Sequence, residues 1–439
     1  MDTIFAPITL KGNCSVYVIR ISGSEVLNCL ANLGVKKTLK HREATLCVLK
    51  DKNNNTIDEA LVVYFNSPNS FTGENICEIS LHCSNYIISK VSQILLSTQN
   101  VRIAERGEFS KRAFLNGKID LMQAESILDL IKSETELQHK LAINQLQGKN
   151  SNFYNTLREK IVSVLSILEA FIDFPEENIP QDLESEIEVK IQNIRTEIKN
   201  NLNDNRIGEK IKDGFHIAII GEPNSGKSTL LNFLSQRDIA IVSNIAGTTR
   251  DVIEVDIDIN GIPVILYDTA GIRETTDIIE SEGVKRALKK AENADLKILV
   301  IGADNTNINK QILNLIDENT IILINKIDLN CTNKFKADKG IVLEISLKDN
   351  LNLDKFLNTL IDKLETIVSP NINTTITNER YRQELIEANK YLDLFTFKNP
   401  IEINAENIRL AANHIGKITG KIDSEEILDN IFSKFCIGK

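Results

Sequence analysis

The 439-residue chain has no tryptophan, only two methionines and eight prolines, and seven cysteines of which no two form a C-x-x-C pair. An odd number of scattered thiols fits reduced cysteines better than a disulfide framework or a zinc ribbon. The five histidines are scattered too, so no His/Cys/carboxylate cluster offers a metal-based chemistry. Long apolar runs are missing: Ile217 to Ile220 and Ile321 to Ile324 fall far short of the ~20 residues a membrane helix needs. Met1-Asp2 opens with neither a basic nor an apolar leader pattern, so the expectation is a cytoplasmic chain with no membrane partner. With 61 acidic against 51 basic residues the net charge is −10, which argues against coating nucleic acid through bulk charge. A local basic patch remains compatible with that balance.

What is present is ordinary globular usage, 42% hydrophobic and 26% charged, over a length that suggests roughly two to four domains. Residues 1–118 show β-branched alternation at Val16 to Ile21 and apolar runs at Leu61 to Phe65 and Ile76 to Leu81, which predict a small α+β domain. Over 119–213 the spacing turns helical, with Leu121, Ala124, Ile127 and Leu128, then Ile161, Val164, Leu165 and Leu168. Asn200 to Asp213 is Asn-rich and charged and reads as a connection. Over 214–369 strand-like runs (Phe215 to Gly221, Ile262 to Asp268, Lys297 to Gly302, Thr320 to Asn325, Ile341 to Ser346) alternate mostly with helical patterns, as in a doubly wound, mainly parallel sheet. Asn260-Gly261 predicts a hairpin turn within it. Residues 370–439 return to helical spacing. The expected fold class is therefore multidomain α/β plus α, with an α/β domain inserted into a helical one.

The inserted segment carries the chemistry. Gly221-Glu-Pro-Asn-Ser-Gly-Lys-Ser228 fits the phosphate loop G-x-x-x-x-G-K-[ST] between a strand and a helix. Its glycines let backbone N–H groups wrap phosphate oxygens, Lys227 brings a cation to the β/γ-phosphates, and Ser228 offers a hydroxyl to Mg²⁺. Asn224, Ser225, Gly226 and Thr229 complete the contacts expected of this loop. Asp268-Thr269-Ala270-Gly271 ends a strand, where a carboxylate reaches the metal through water and Gly271 N–H reaches the γ-phosphate. Asn325-Lys326-Ile327-Asp328 ends another, and the Asp328 carboxylate matches the two N–H donors on the Watson–Crick side of guanine, a pair that adenine lacks. Ser346-Leu347-Lys348 would close over the base. The four elements together point to GTP rather than ATP.

Thr248-Thr249-Arg250-Asp251 lies where a first switch belongs, and Thr249 is assigned to the Mg²⁺ shell with Ser228. Position 272 is Ile, which cannot orient an attacking water as a Ras-type Gln does. Glu280 is a candidate for that task. A favourable charge in the first turn of a helix is an equal reading of it. Cys436, with the apolar Ile431, Phe432 and Phe435 near it, reads as a packing thiol; Gly438 and Lys439 make a poor prenylation box.

The chain resembles the MnmE (TrmE) family of tRNA modification GTPases from residue 2 to residue 439. The residues that carry this are Asp2-Thr-Ile4, Arg20-Ile-Ser-Gly23, Ser70-Phe-Thr-Gly-Glu74, Arg112-Ala-Phe-Leu-Asn-Gly-Lys118, Phe171-Ile-Asp-Phe-Pro175 and Phe435-Cys-Ile-Gly-Lys439. The resemblance implies a tetrahydrofolate-binding and dimerisation domain at 1–118, a helical domain in two parts (119–213 and 370–439) and a Ras-like P-loop GTPase domain at 214–369. It further implies a homodimer working with MnmG, an FAD- and NADH-using partner, as a heterotetramer. Their joint product would be a carboxymethylaminomethyl or aminomethyl group on carbon 5 of the tRNA wobble uridine. A K⁺ ion would be held by Asn224 of the phosphate loop together with Ser243, Ile245 and Thr248 of the loop Ser243-Asn244-Ile245-Ala246-Gly247-Thr248-Thr249, which contacts GTP. The catalytic Glu falls on Glu280, and Lys227, Thr249 and Cys436 join it as catalytic candidates. Contacts to 5,10-methylenetetrahydrofolate fall on Arg20, Glu78, Lys118 and Lys439. One departure stands beside Glu78: His82-Cys83-Ser84 occupies the place of the family's usual His-Gly-Gly.

Overall fold

The structure is a computed structural model that describes residues 2–9, 14–173, 180–235, 253–268, 289–304, 308–329, 335–368, 375–422 and 425–439. The chain is multidomain α/β plus α, and its contacts divide it into two compact units. One comprises Met1–Leu128, Gln145–Arg158 and Asn413–Lys439, the other Asp129–Asn144 and Glu159–Ala412.

The first unit is built on six strands: β1 (Thr3–Pro7), β2 (Val16–Ser22), β3 (Ala44–Lys50), β4 (Thr56–Phe65), β5 (Ile76–His82) and β6 (Val101–Ile103), in the order β3-β4-β5-β2-β1-β6. Only β1–β6 is parallel; the other pairs are antiparallel. β4 alternates between buried and exposed positions, the pattern of a sheet with one face on a core. That core holds Ile19, Ile21, Val62, Ile79 and Leu81 of the sheet with Val91 and Leu95 of the helix Asn85–Leu96. The terminal Phe432 and Phe435 pack with Leu121, Ala124 and Leu428 in the same unit.

In the second unit β7 (Phe215–Gly221), β8 (Ile253–Ile259), β9 (Ile262–Asp268), β10 (Leu296–Gly302), β11 (Thr320–Asn325) and β12 (Ile341–Glu344) form a sheet in the order β12-β11-β10-β7-β9-β8. All neighbours are parallel except the β8–β9 hairpin. Its turn is Asn260-Gly261, both at positive φ (54° and 81°), as the dipeptide requires. β10 and β11 are buried along their whole length, which is why they read as unbroken apolar runs rather than alternations. Ile187, Ile191, Ile194 and Ile198 line one face of the helix Gln181–Leu202, which packs on the helix Glu379–Asp393.

Asn200 to Asp213 departs from its reading as a connection. The helix Gln181–Leu202 enters it and a second helix, Ile207–Asp213, fills its end. Arg382 donates to Asp204 (2.7 Å) and Glu209 (2.8 Å), so the charges that suggested solvent are buried partners. Composition cannot reveal a partner some 170 residues away.

Candidate functional site

Parallel pairing sets the ends of β7, β9, β10 and β11 side by side. Gly221 is level with Val300, Asp268 with Ile219, and Asn325 with Gly302. The motif residues therefore meet at the carboxyl edge of the sheet, where open α/β sheets take ligands.

From Gly221 the chain turns through Glu222 to Gly226 into the helix Lys227–Ser235. Asn224 (φ 62°) and Gly226 (φ 109°) take left-handed backbone conformations in this turn. A Cβ at Gly226 would stand 2.3 Å from Asn325 Nδ2, so glycine is required by close approach as well as by φ. Lys227 is 7% exposed and its amine donates to the carbonyls of Gly221 and Glu222, at 2.9 Å each. The hydroxyl of Ser225 is buried and has no hydrogen-bond partner among the described residues.

Asn325, 4% exposed, ties the base end to this loop. Its Nδ2 donates to the Ser225 carbonyl (2.9 Å) and its Oδ1 accepts from Leu347 N–H (3.1 Å). Asp328 lies on the short 3₁₀ turn Ile327–Leu329 and accepts from Ser346 Oγ at 2.7 Å. Ser346 Oγ also accepts from Asp349 N–H, which fixes the loop that carries Lys348. Lys326, at φ 70°, reaches Asp304 at 3.0 Å and holds that carboxyl below its usual range.

These parts line one cavity of about 810 Å³, in which Asn224, Gly226, Lys227, Ser228 and Thr229 stand with Asn325, Lys326, Asp328, Leu347 and Lys348. Its volume is of the size that small-molecule sites occupy. Pro223 and Leu329 line it as well, although the motifs did not single them out. The loop N–H groups, the buried amine, the orphaned hydroxyl and the placed carboxylate suit a nucleoside polyphosphate at the phosphate end and a base with paired donors at the other. Ser243, Asn244, Ile245, Ala246, Gly247, Thr248, Thr249, Thr269, Ala270, Gly271 and Glu280 lie outside the described residues, as does the side chain of Asp268.

In the first unit the scattered motifs converge. Arg112 is 5% exposed and donates to Asp2 (2.8 Å), Glu74 (3.1 Å) and Glu108 (3.0 Å). Ser22 Oγ meets Thr72 Oγ1 and donates to Glu74, and Asn116 Nδ2 donates to the Thr72 carbonyl, each at 2.7 Å. Arg20 pairs with Glu78 at 2.7 Å across the β2–β5 ladder, its guanidinium 5.4 Å from the Phe71 ring and 5.6 Å from the Phe109 ring. Lys118 Nζ donates to the Pro68 carbonyl (2.9 Å). Arg20 and Lys118 thus both abut the loop between β4 and β5. Lys439 ends a tail in which Ile437 bridges to Arg106. Cys436 is exposed, which excludes its reading as a packing thiol; Phe432 and Phe435 do the packing.

Residues 121–436 match the family described as the MnmE helical domain, and residues 3–118 match that described as the GTP-binding protein TrmE N-terminus. The chain is 48% identical to the tRNA modification GTPase MnmE of Rickettsia canadensis (strain McKiel) and 47% identical to that of Rickettsia akari (strain Hartford), in each case over 100% of both chains. Among solved structures, Aquifex aeolicus Era bound to GDP and AlF4⁻ is 28% identical, with 42% of this chain and 69% of that chain covered and a TM-score of 0.29.

Proposed function

This chain belongs to the MnmE (TrmE) family of tRNA modification GTPases, and from that premise we propose a potassium-dependent GTPase that works as a homodimer with the FAD- and NADH-using partner MnmG. Together they install a carboxymethylaminomethyl or aminomethyl group on carbon 5 of the tRNA wobble uridine in the cytoplasm. The one-carbon unit comes from 5,10-methylenetetrahydrofolate. The working division is 1–118 for folate and dimerisation, 119–213 with 370–439 for the helical domain, and 214–369 for GTP.

The observation that carries this reading is the single cavity shared by Lys227 and Asp328. Lys227 exchanges its loop carbonyls for phosphate oxygens, and the loop N–H groups neutralise the rest. Ser228 and Thr229 follow on the same helix, and Ser228 with Thr249 would hold Mg²⁺, which would supply positive charge to the phosphates. Asp328, oriented by Ser346, accepts from guanine, and Asn325 keeps the base loop and the phosphate loop in one geometry. Asn224, Ser243, Ile245 and Thr248 would hold the monovalent cation, which would supply positive charge to the transition state, and Glu280 would orient water. Arg20 and Glu78 present a cation and a carboxylate beside the Phe71 ring, which suits a ligand carrying both a carboxylate and a flat donor–acceptor edge. Lys118 and Lys439 add cations for the glutamate end of that ligand.

GTP turnover in potassium and sodium buffers of equal ionic strength, with molecular mass followed in the presence of a GTP transition-state mimic, tests the proposal. Strong stimulation by potassium together with tightening of the dimer is expected. Equal slow rates in both salts would instead favour a plain GTP-dependent binding switch.

A further inference from the structure

Neither the nucleotide cavity nor the Arg20–Glu78 cluster uses the closest pair of sulfurs recorded in the described residues. Sγ of Cys14 lies 2.7 Å from Sγ of Cys83, although 69 positions separate them in sequence. The β2–β5 ladder brings them together: Val16 pairs with His82, and just beyond that pair Cys83 N–H donates to the Ser15 carbonyl at 3.2 Å. Both cysteines stand past the last paired residues of the ladder, and both are partly exposed. Cys29, Cys47 and Cys77 are buried under the sheet, and burial pushes their thiols up, to about 11 for Cys29. Those three have neither the access nor the thiolate character that thiol exchange needs.

We infer that Cys14 and Cys83 form a modification site, a dithiol that closes to an intramolecular disulfide on meeting a small-molecule disulfide of the glutathione type. One cysteine, as thiolate, attacks a sulfur of oxidised glutathione; that S–S bond breaks and one glutathione thiolate leaves. The second cysteine loses its proton to solvent and attacks the protein sulfur of the mixed disulfide, expelling the second glutathione. Two protein thiols are oxidised by two electrons, and one disulfide is reduced to two thiols. The sulfurs must approach to about 2.05 Å, a short adjustment for residues outside the strands. The site is independent of the folate reading. Its position nonetheless matters, because the crosslink would pin the end of the ladder that carries Arg20 and Glu78 four residues further along each strand.

Full-length protein is incubated with oxidised glutathione, its remaining thiols are alkylated in denaturant, and it is cleaved after glutamate without reduction. Cleavage at Glu25 separates Cys14 from Cys29, and cleavage at Glu78 separates Cys83 from Cys77. Expected are loss of two of the seven alkylatable thiols and a peptide joining Cys14 to Cys83 that disappears on reduction. In Cys83→Ser the link is lost, and GTP turnover stays at the untreated level. Unchanged alkylation of both cysteines would overturn the inference, as would separate glutathione adducts without a link or a link from either cysteine to another partner.

Discussion

Asp328 and Gly226 each have one residue-scale property on which the proposed nucleotide site rests. Asp328 offers acceptors only, and Ser346 fixes its direction. Asp328→Asn exchanges an acceptor for a donor, so GTP binding should weaken and xanthine nucleotide should be preferred; titration with both nucleotides checks this, and retained guanine preference would remove Asp328 from the base. At Gly226, alanine would combine φ 109° with a Cβ 2.3 Å from Asn325 Nδ2, whose own two hydrogen bonds keep it from retreating. Displacement of the loop at a cost of about 1–3 kcal/mol is expected, a loss of roughly 5- to 150-fold in GTP affinity. Glu280→Ala should leave GTP affinity nearly intact and lower hydrolysis by orders of magnitude, because water orientation matters in the transition state. The motif letters singled out Asp328 and Gly226, whereas Glu280 was assigned through the family resemblance and lies outside the described residues. The Asn325–Gly226 contact was not legible, because it joins positions about a hundred residues apart and depends on the pairing of β10 with β7 and β11.

At the scale of elements, Arg112 joins β1, the loop before β5 and the helix Glu108–Leu115 through Asp2, Glu74 and Glu108. Removing the guanidinium takes the buried cation from Glu74, Asp2 and Glu108 and leaves, among side chains, only Ser22 on Glu74 and Arg102 on the other two, so Arg112→Met should cost about 3 kcal/mol and lower the melting temperature. The same cluster sets an acid limit. Burial pushes the Glu108 carboxyl up, but hydrogen bonds from Arg102, Glu105 N–H and Arg112 outweigh it and the net position is below the usual value. Asp2 is likewise raised by burial and lowered further by Arg102 and Arg112. Carboxylates lowered in the folded state give stability that is full above their unfolded values, about 4, and is lost as pH falls through the folded ones. Thermal melts should therefore be nearly flat from pH 7 to about 5 and fall below about 4, with a shallower acid fall in Arg112→Met. An unchanged acid limb in the variant would show that other carboxylates set it. The sequence showed Asp2, Glu74 and Arg112 in separate family motifs and did not single out Arg102 or Glu108, and packing made them one cluster.

For the whole molecule, the two compact units separate two chemistries: Arg20, Glu78 and Lys118 lie in one unit, the nucleotide cavity in the other. Arg20→Ala should reduce tetrahydrofolate binding by about tenfold or more, through loss of a charge-assisted contact, and leave basal GTP turnover unchanged. Calorimetry with folate and a turnover assay on the same preparation distinguish this from general damage, which would lower both. The net charge of −10 places any contact with tRNA in local basic regions rather than in the overall field.

By itself the sequence determined the mainly parallel sheet of the second unit, since buried central strands must be apolar throughout, and the hairpin at Asn260-Gly261, since two successive left-handed residues favour that dipeptide. It also pointed to guanine over adenine, because the Asp328 carboxylate offers acceptors to paired N–H donors that adenine lacks. Tertiary structure alone decided that Asn200 to Asp213 is largely helical over the Arg382 ion pairs, that Cys436 faces outward while its neighbours pack, and that Cys14 meets Cys83. Each of these depends on which distant residue a side chain meets. Local composition and periodicity carry no record of such pairings, whereas strand register and helix packing specify them.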